Sequence, residues 1–251
     1  MDSPQHFLSR LRYPLSNREL ARHLRNPYEQ HRTLWQLFAN DAVTPSPARP
    51  FLFRQNRDPA LAKRGEGEFM VLSDQMPSHT HGFKVSAKPY HPKLALGDCL
   101  HFLLRAEVLA SKMEKAAGVR GKKHDPMLSA LAAAAPAARA ALRKLWLHGQ
   151  SDQEANISTP ALLISDWLAP KFARLGFDLD LNSSRAESHE RLRLARDGKD
   201  IWFSEADFQG QLRVTDPVLA TGAALGGIGH SKAFGCGLLL LRRVQIEAQD
   251  D

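Results

Sequence analysis

The sequence predicts an α+β protein built in two halves, each a small sheet with helices packed on it. Three observations lead to this reading. Short runs with strand-like character recur at 7–15, 51–55, 68–73, 83–90, 99–109, 187–197 and 201–215. Helical segments interrupt them at 18–24, 26–38, 127–148 and 161–177, and again from Asp216. The order of elements repeats between the halves although the residues do not, and 251 residues accommodate one large domain or two of about 100–150 residues each.

The first half starts with FLSRLRYPL (7–15), whose alternation suits a strand, followed by the helical RELARHL (18–24). The next helix has a strong start: in NPYEQHRTLWQLF (26–38) Asn26 suits the N-cap, Pro27 the first turn and Glu29 the third position of a capping box. At about 100° per residue, His31 falls inside the arc set by Leu34, Trp35 and Phe38. Tyr28, three residues earlier, shares its face. A Pro-rich loop (41–50) leads to FLFRQ (51–55) and EFMVLS (68–73), joined by a charged connection containing Gly65 and Gly67. FKVSAKPY (83–90) closes the half before a turn at His91-Pro92. Strand, helix, strand, strand, strand fits a ferredoxin-like unit over 1–92, and 91–98 reads as a linker.

The second half, 98–251, opens with the strand CLHFLLRAEVL (99–109). A basic stretch at 111–125 reads as a loop, and helices follow at 127–148 and 161–177, the latter to be kinked or ended at Pro170. Strands at 187–197 and 201–215 flank the turn DGKD, Asp216-Pro217 starts a helix, and GGIGHSKAFGCG leads into LLLLRRV, read as a buried strand.

Composition narrows the function. Hydrophobic residues make up 43% of the chain, enough for a packed core. A net charge of +7 and a pI near 9.6 favour a polyanionic partner, either nucleic acid or an anionic surface. Two cysteines, Cys99 and Cys236, are too few for a disulfide framework or a zinc knuckle and fit a reducing, cytoplasmic setting. The N-terminus lacks the apolar run of a signal peptide. The most apolar stretch, 128–147, is broken by Pro136, Arg139, Arg143 and Lys144, which argues against a membrane span.

Four motifs bear on chemistry. Gly226–Gly237 holds five glycines around Lys232, in the wrong order for a nucleotide-hydrolysing P-loop. Its backbone N–H groups and lysine can cradle phosphate oxygens, or the glycines can simply form a tight turn. Arg120, Lys122 and Lys123 form a basic cluster that is either a solvated loop or a contact to an RNA backbone. Arg191 and Arg193, two apart, project from one strand face, with Arg196 beyond them. His79, His81 and His91 lack the carboxylate or cysteine that would complete a metal set, so no metal is expected. His31 alone is either an ordinary core histidine or a titratable group held for chemistry.

Together these pieces resemble a known family. NPYEQHRTLW, FLFR followed by VLSDQMP, LLRA, RGKKHD and GIGHSKAFGCGLL occur in this order, over residues 7–245. The pattern resembles the CasE family of CRISPR RNA-processing endoribonucleases of type I-E systems. The resemblance implies two tandem ferredoxin-like (RRM-like) βαββαβ domains. It implies cleavage of a CRISPR repeat transcript at the 3′ base of its stem-loop by 2′-hydroxyl attack, without metal or other cofactor, leaving a 2′,3′-cyclic phosphate and a 5′-hydroxyl. It further implies that the product RNA is retained, with other Cascade subunits as partners. The family's catalytic histidine and tyrosine fall on His31 and Tyr28, and its hairpin arginines fall near Arg191, Arg193 and Arg196. The glycine loop is represented by Gly227, Gly229, Gly235 and Gly237, with His230, Ser231 and Lys232 as phosphate contacts. Lys232 and Arg32 are both candidates for the cation that stabilises the phosphorane, and the sequence assigns the role to neither. An imidazole with an ordinary pKa near 6.5 can move protons in either direction at neutral pH. The alternatives are a subunit on the same scaffold that holds the hairpin without cutting it, and a basic interaction protein whose glycine loop is only structural.

Overall fold

The computed structural model describes residues 6–38, 51–77, 82–113, 120–140, 143, 163–196 and 199–244. The chain separates into two compact units. The first takes Met1–Lys93 with Leu194–Ile201 and Leu225–Leu238, and the second takes Leu94–Arg193, Trp202–Ala224 and Leu239–Asp251.

The first unit runs β1 (Phe7–Pro14), α1 (Arg18–His23), α2 (Pro27–Trp35), β2 (Phe51–Asn56), α3 (Pro59–Lys63), β3 (Glu66–Ser73) and β4 (Lys84–Pro89). Its antiparallel sheet has the order β2-β3-β1-β4, the ferredoxin-like arrangement. No helix joins β3 to β4 among the described residues. The short α3, inside what the sequence showed only as a charged connection, is capped by Asp58, whose Oδ1 accepts from Ala60 N at 2.8 Å. Alternation divides the strands: Leu11, Tyr13, Phe51, Phe53, Phe69 and Val71 turn to one face and pack with Leu24, Leu34, Leu37, Phe38 and Phe83 into an aromatic-rich core.

The second unit contains β5 (Cys99–Glu107), the hairpin β6 (Ala110–Met113) and β7 (Arg120–His124), α4 (Pro126–Ala133), α5, two long strands β8 (Phe177–Arg196) and β9 (Lys199–Val214), α6 (Pro217–Gly226) and β10 (Leu239–Arg243). Its sheet order β10-β5-β9-β8 is the same ferredoxin-like order. α5 is a π-helical turn, Leu163–Leu168, running into Ala169–Ala173.

Several expectations change in this half. The basic stretch is not a loop, because Arg120–His124 pairs with Ala110–Met113 as strands. The alanine-rich run is not one helix: Ala134 and Ala135 are extended, as the residues before Pro136 must leave the helical region. Pro170 neither ends nor breaks its helix; the π-turn precedes it, and the missing N–H falls in the first turn of the α segment. The last strand is not buried throughout. Leu239 is covered, but Arg242 and Arg243 are exposed on what is the edge strand of the sheet.

One buried ionic group pins this sheet. Arg105 on β5 donates to both carboxylate oxygens of Asp207, its register partner on β9, at 2.9 and 2.8 Å, with Glu205 at 3.8 Å. Arg105 and Glu205 are almost wholly buried. Removing the cation would leave two carboxylates out of water, so Arg105→Ala is expected to cost about 3–5 kcal/mol, read as a lower urea midpoint at an unchanged slope.

Candidate functional site

The helix that carries Tyr28 and His31, α2, is placed by its start and by one buried amide. Asn26 Oδ1 accepts from Tyr28 N at 3.0 Å, and Pro27 opens the helix, as the sequence indicates. The reciprocal half of the capping box does not form. Asn26 N–H donates instead to the His23 carbonyl at 3.2 Å, and Glu29 pairs with Arg32 at 3.4 Å. Gln30, almost wholly buried, donates to the Leu24 carbonyl at 2.8 Å and to Gln55 Oε1 on β2 at 3.1 Å. Gln55 in turn donates to the Tyr13 hydroxyl at 3.4 Å, and burial raises the Tyr13 pKa while the bond from Gln55 opposes that shift. This chain of amides fixes the rotation of α2, and the next residue along the helix is His31.

His31 is half-buried. Its ring centroid lies 5.3 Å from Phe51, 5.7 Å from Trp35 and 6.3 Å from Phe53. The aromatic surround restricts the imidazole to few orientations. Tyr28, one turn earlier, is exposed, as is Trp35. Arg32 lies elsewhere on the helix, lining the groove between α1 and α2 with Glu19, His23 and Glu29.

The glycine loop belongs to the same unit. It follows α6 and folds around β2. A Cβ on Gly227 would lie 2.7 Å from Leu52 Cδ1, whereas one on Gly235 would lie 3.3 Å from the Phe53 ring. Leu52 and Phe53 point to opposite faces of β2, so the loop touches both faces of that strand. It closes on itself through Ile228 N to Gly237 O at 2.8 Å, and a Cβ on Gly237 would lie 2.7 Å from the Ile228 carbonyl. Between these contacts the 3₁₀ turn Lys232–Phe234 packs against α2. Gly227, Gly229, Gly235 and Gly237 all have positive φ, as does Ser231 at 55°, the only non-glycine residue to do so among those described. A side chain in that region costs about 1–2 kcal/mol, and such strain concentrates at functional sites. Lys232 Nζ donates to the Gly226 carbonyl at 2.6 Å. This bond anchors the lysine to the start of its own loop. His230 is exposed at the loop's tip.

The other predicted residues are in the second unit, apart from Arg196, whose side chain lies outside the described set, as do those of Arg120 and Lys122. Lys123 is exposed on β7. Arg191 and Arg193 are exposed on β8, their guanidinium carbons 4.7 and 5.9 Å from the indole centroid of Trp202 on β9. A buried pair brings the basic hairpin to this strand. Asp125, which follows β7 and caps α4, accepts from Met127 N at 2.9 Å and Leu128 N at 3.1 Å, and its other oxygen meets His189 Nε2 on β8 at 2.8 Å. Burial raises the Asp125 pKa, but hydrogen bonds from His189 and Ser204, with the charge of His189, outweigh it and hold the carboxyl below its ordinary value.

Sequence reasoning did not find Gln30, Asp125, His189 or Trp202. Trp202 left one usable signal, a large aromatic in a strand-like run opposite the arginine row; the others depend on partners distant in sequence. Among the described residues no group of three or more His, Cys, Asp or Glu could hold a metal ion, and His79 and His81 lie outside those residues. No described helix is long and apolar enough to cross a membrane.

Comparison with known proteins places these features in context. The family model for CRISPR associated protein matches residues 6–243. The CRISPR system Cascade subunit CasE of Escherichia coli (strain K12) is 26% identical over 221 residues, spanning 86% of this chain and 92% of that protein. The CRISPR endoribonuclease Cse3 bound to a 19-nt RNA superposes with a TM-score of 0.66 at 25% identity, covering 94% of this chain and 99% of that one. Thermus thermophilus Cse3 bound to an RNA representing a pre-cleavage complex gives 0.64 at 25% identity, covering 95% and 99%.

The Asp125 pair makes stability depend on pH with a definite sign. A carboxyl whose pKa is lower folded than unfolded stabilises the fold above the unfolded value, and that contribution disappears as pH falls through the folded value. Asp125→Asn keeps a capping oxygen but carries no charge. Between about pH 5 and about pH 3, the wild-type urea midpoint is therefore expected to fall more steeply than that of Asp125→Asn.

Proposed function

The chain belongs to the CasE family of CRISPR-associated proteins, and from that premise we propose that it is an endoribonuclease of CRISPR RNA maturation. Its substrate is the stem-loop of a CRISPR repeat transcript, cut at the 3′ base of the stem. The observation that carries the reading is within the first unit: α2, bearing Tyr28 and His31, packs against the 3₁₀ turn of a glycine loop that bears Lys232. Two relatives with the same fold are CRISPR endoribonucleases solved with RNA.

The chemistry follows from the residue types. The RNA's own 2′-hydroxyl attacks the adjacent phosphorus, the 5′-oxygen of the next nucleotide leaves, and the products are a 2′,3′-cyclic phosphate and a 5′-hydroxyl. His31 transfers a proton at the attacking or departing oxygen, a role typically worth 10²–10⁴-fold in rate. Its aromatic cage holds the imidazole in place while leaving part of it exposed. Tyr28 hydrogen-bonds the scissile phosphate or orients the ribose. Lys232, with Ser231 and His230 in a loop of left-handed backbone, is suited to the phosphorane charge, since donors fixed beforehand need no reorganisation during reaction. Arg32, paired with Glu29 in a different groove, suits an outlying phosphate better than the reacting one. No step in this route calls on a metal or other cofactor.

We assign 1–92 the cleaving role and 98–251 the RNA-holding role, with the glycine loop contributed to the first. Arg120, Lys122, Lys123, Arg191, Arg193 and Arg196 then neutralise phosphates along the stem. The product stays bound, in a cytoplasmic complex with other Cascade subunits.

A labelled repeat hairpin from the host's own CRISPR array, incubated in excess EDTA, tests the proposal. Wild type is expected to make a single cut at the 3′ base of the stem. His31→Ala, and a substrate with one 2′-deoxy at the cut site, are expected to abolish cleavage with hairpin affinity kept within a few-fold. Tight binding without cutting by either protein would favour the RNA-holding subunit, and equal loss of binding and cleavage in His31→Ala would make His31 structural.

A further inference from the structure

The β8–β9 ribbon carries an aromatic that the scheme above leaves unused. Trp202 is half-exposed, and the guanidinium groups of Arg191 and Arg193 both lie over its ring, at 4.7 and 5.9 Å from the centroid. An exposed indole is poorly placed to stabilise a core. Two arginines gathered at one ring also repel each other, and the electron-rich face opposes that repulsion by attracting both cations. Nearer the core on the same two strands, His189 is buried against Asp125, and Ser204 bonds the same carboxylate. The ribbon is therefore tied down at that end, and Trp202 with its two arginines stands farther out.

We propose that Trp202 is a positioning residue for RNA recognition. Its ring holds Arg191 and Arg193 side by side before the RNA arrives, so that both guanidinium groups meet the nucleic acid with their rotamers already chosen. The proposal rests on the RNA-binding reading of this face. An arginine free in water gives up considerable side-chain freedom when it docks. One stacked on an indole has already lost much of that freedom and keeps its in-plane N–H donors available for phosphate oxygens or a base edge. The indole itself need not touch a base.

The test is hairpin affinity, measured over a series of salt concentrations, for five proteins: wild type, Trp202→Ala, Trp202→Phe as the conservative control, Arg191→Ala/Arg193→Ala, and the triple variant. Ordering two rotamer-rich side chains on binding corresponds to roughly 5- to 150-fold in affinity. Trp202→Ala is expected to lose that much while its salt slope stays near wild type, because every cation is retained. Trp202→Phe is expected to recover most of the loss. In the Arg191→Ala/Arg193→Ala background, removing Trp202 is expected to have little further effect. A full additional loss in the triple variant would mean that the indole stacks on a base, and an unchanged affinity in Trp202→Ala would mean that it positions nothing; either result overturns the proposal. Wild type failing to prefer the hairpin over unstructured RNA of equal length would instead defeat the RNA-binding reading on which the proposal rests. A far-ultraviolet spectrum and thermal melt of Trp202→Ala that match wild type are expected, as the ring is exposed, and a collapse of either would give Trp202 a structural role instead.

Discussion

Much of the first unit depends on the alternation of one edge strand, β2. Phe51 and Phe53 face α2, where they form the aromatic surround of His31, and Leu52 faces the other way onto the glycine loop. A strand places successive side chains on opposite faces, so one run of three residues controls both the imidazole and the loop. A register slip of one residue would exchange the two faces. It would remove the rings from His31 and press a phenylalanine where Gly227 leaves room only for the end of a leucine. The pairing of Phe51–Asn56 with Glu68–Ser73 is thus a condition of the site as well as of the sheet.

The two sets of predicted residues use different means of preorganisation. In the first unit the catalytic candidates are held by apolar packing and by a chain of neutral hydrogen bonds, Gln30 to Gln55 to the Tyr13 hydroxyl. In the second, charge does the holding, through Arg105 with Asp207, Asp125 with His189, and two arginines over an indole. The difference suits the chemistry each would perform. A proton-transferring imidazole gains from a cage that fixes its orientation, whereas a phosphate-binding surface gains from cations whose positions are settled in advance.

What could be read from the sequence was whatever is local. The helix at 27–35, the strands of the first sheet and the helix after Asp216 follow from caps, prolines and period-two alternation, and they appear where those signals stand. Tyr28 and His31 share a face because helical spacing requires it. Charge in the basic stretch 111–125 suggests solvent, while the strand character of Ala110–Met113 and Arg120–His124 comes from their pairing with each other. Gln30 looked like an ordinary polar helix residue, since nothing nearby announces Gln55, 25 residues on. The glycine loop was recognisable as a motif, but its place beside α2 was not, because that contact joins residues from opposite ends of the chain.

That last contact carries a consequence for synthesis. The loop wraps an edge strand with residues that the ribosome adds well over a hundred positions later, so the candidate site cannot assemble until the loop has been translated. Strands β1 to β4 can pair as a sheet, with His31 on its helix, before the lysine and the left-handed backbone that pack against that helix have been made. Completion of the candidate site therefore waits on a long-range closure, the kind that folds slowly because distant segments must first meet.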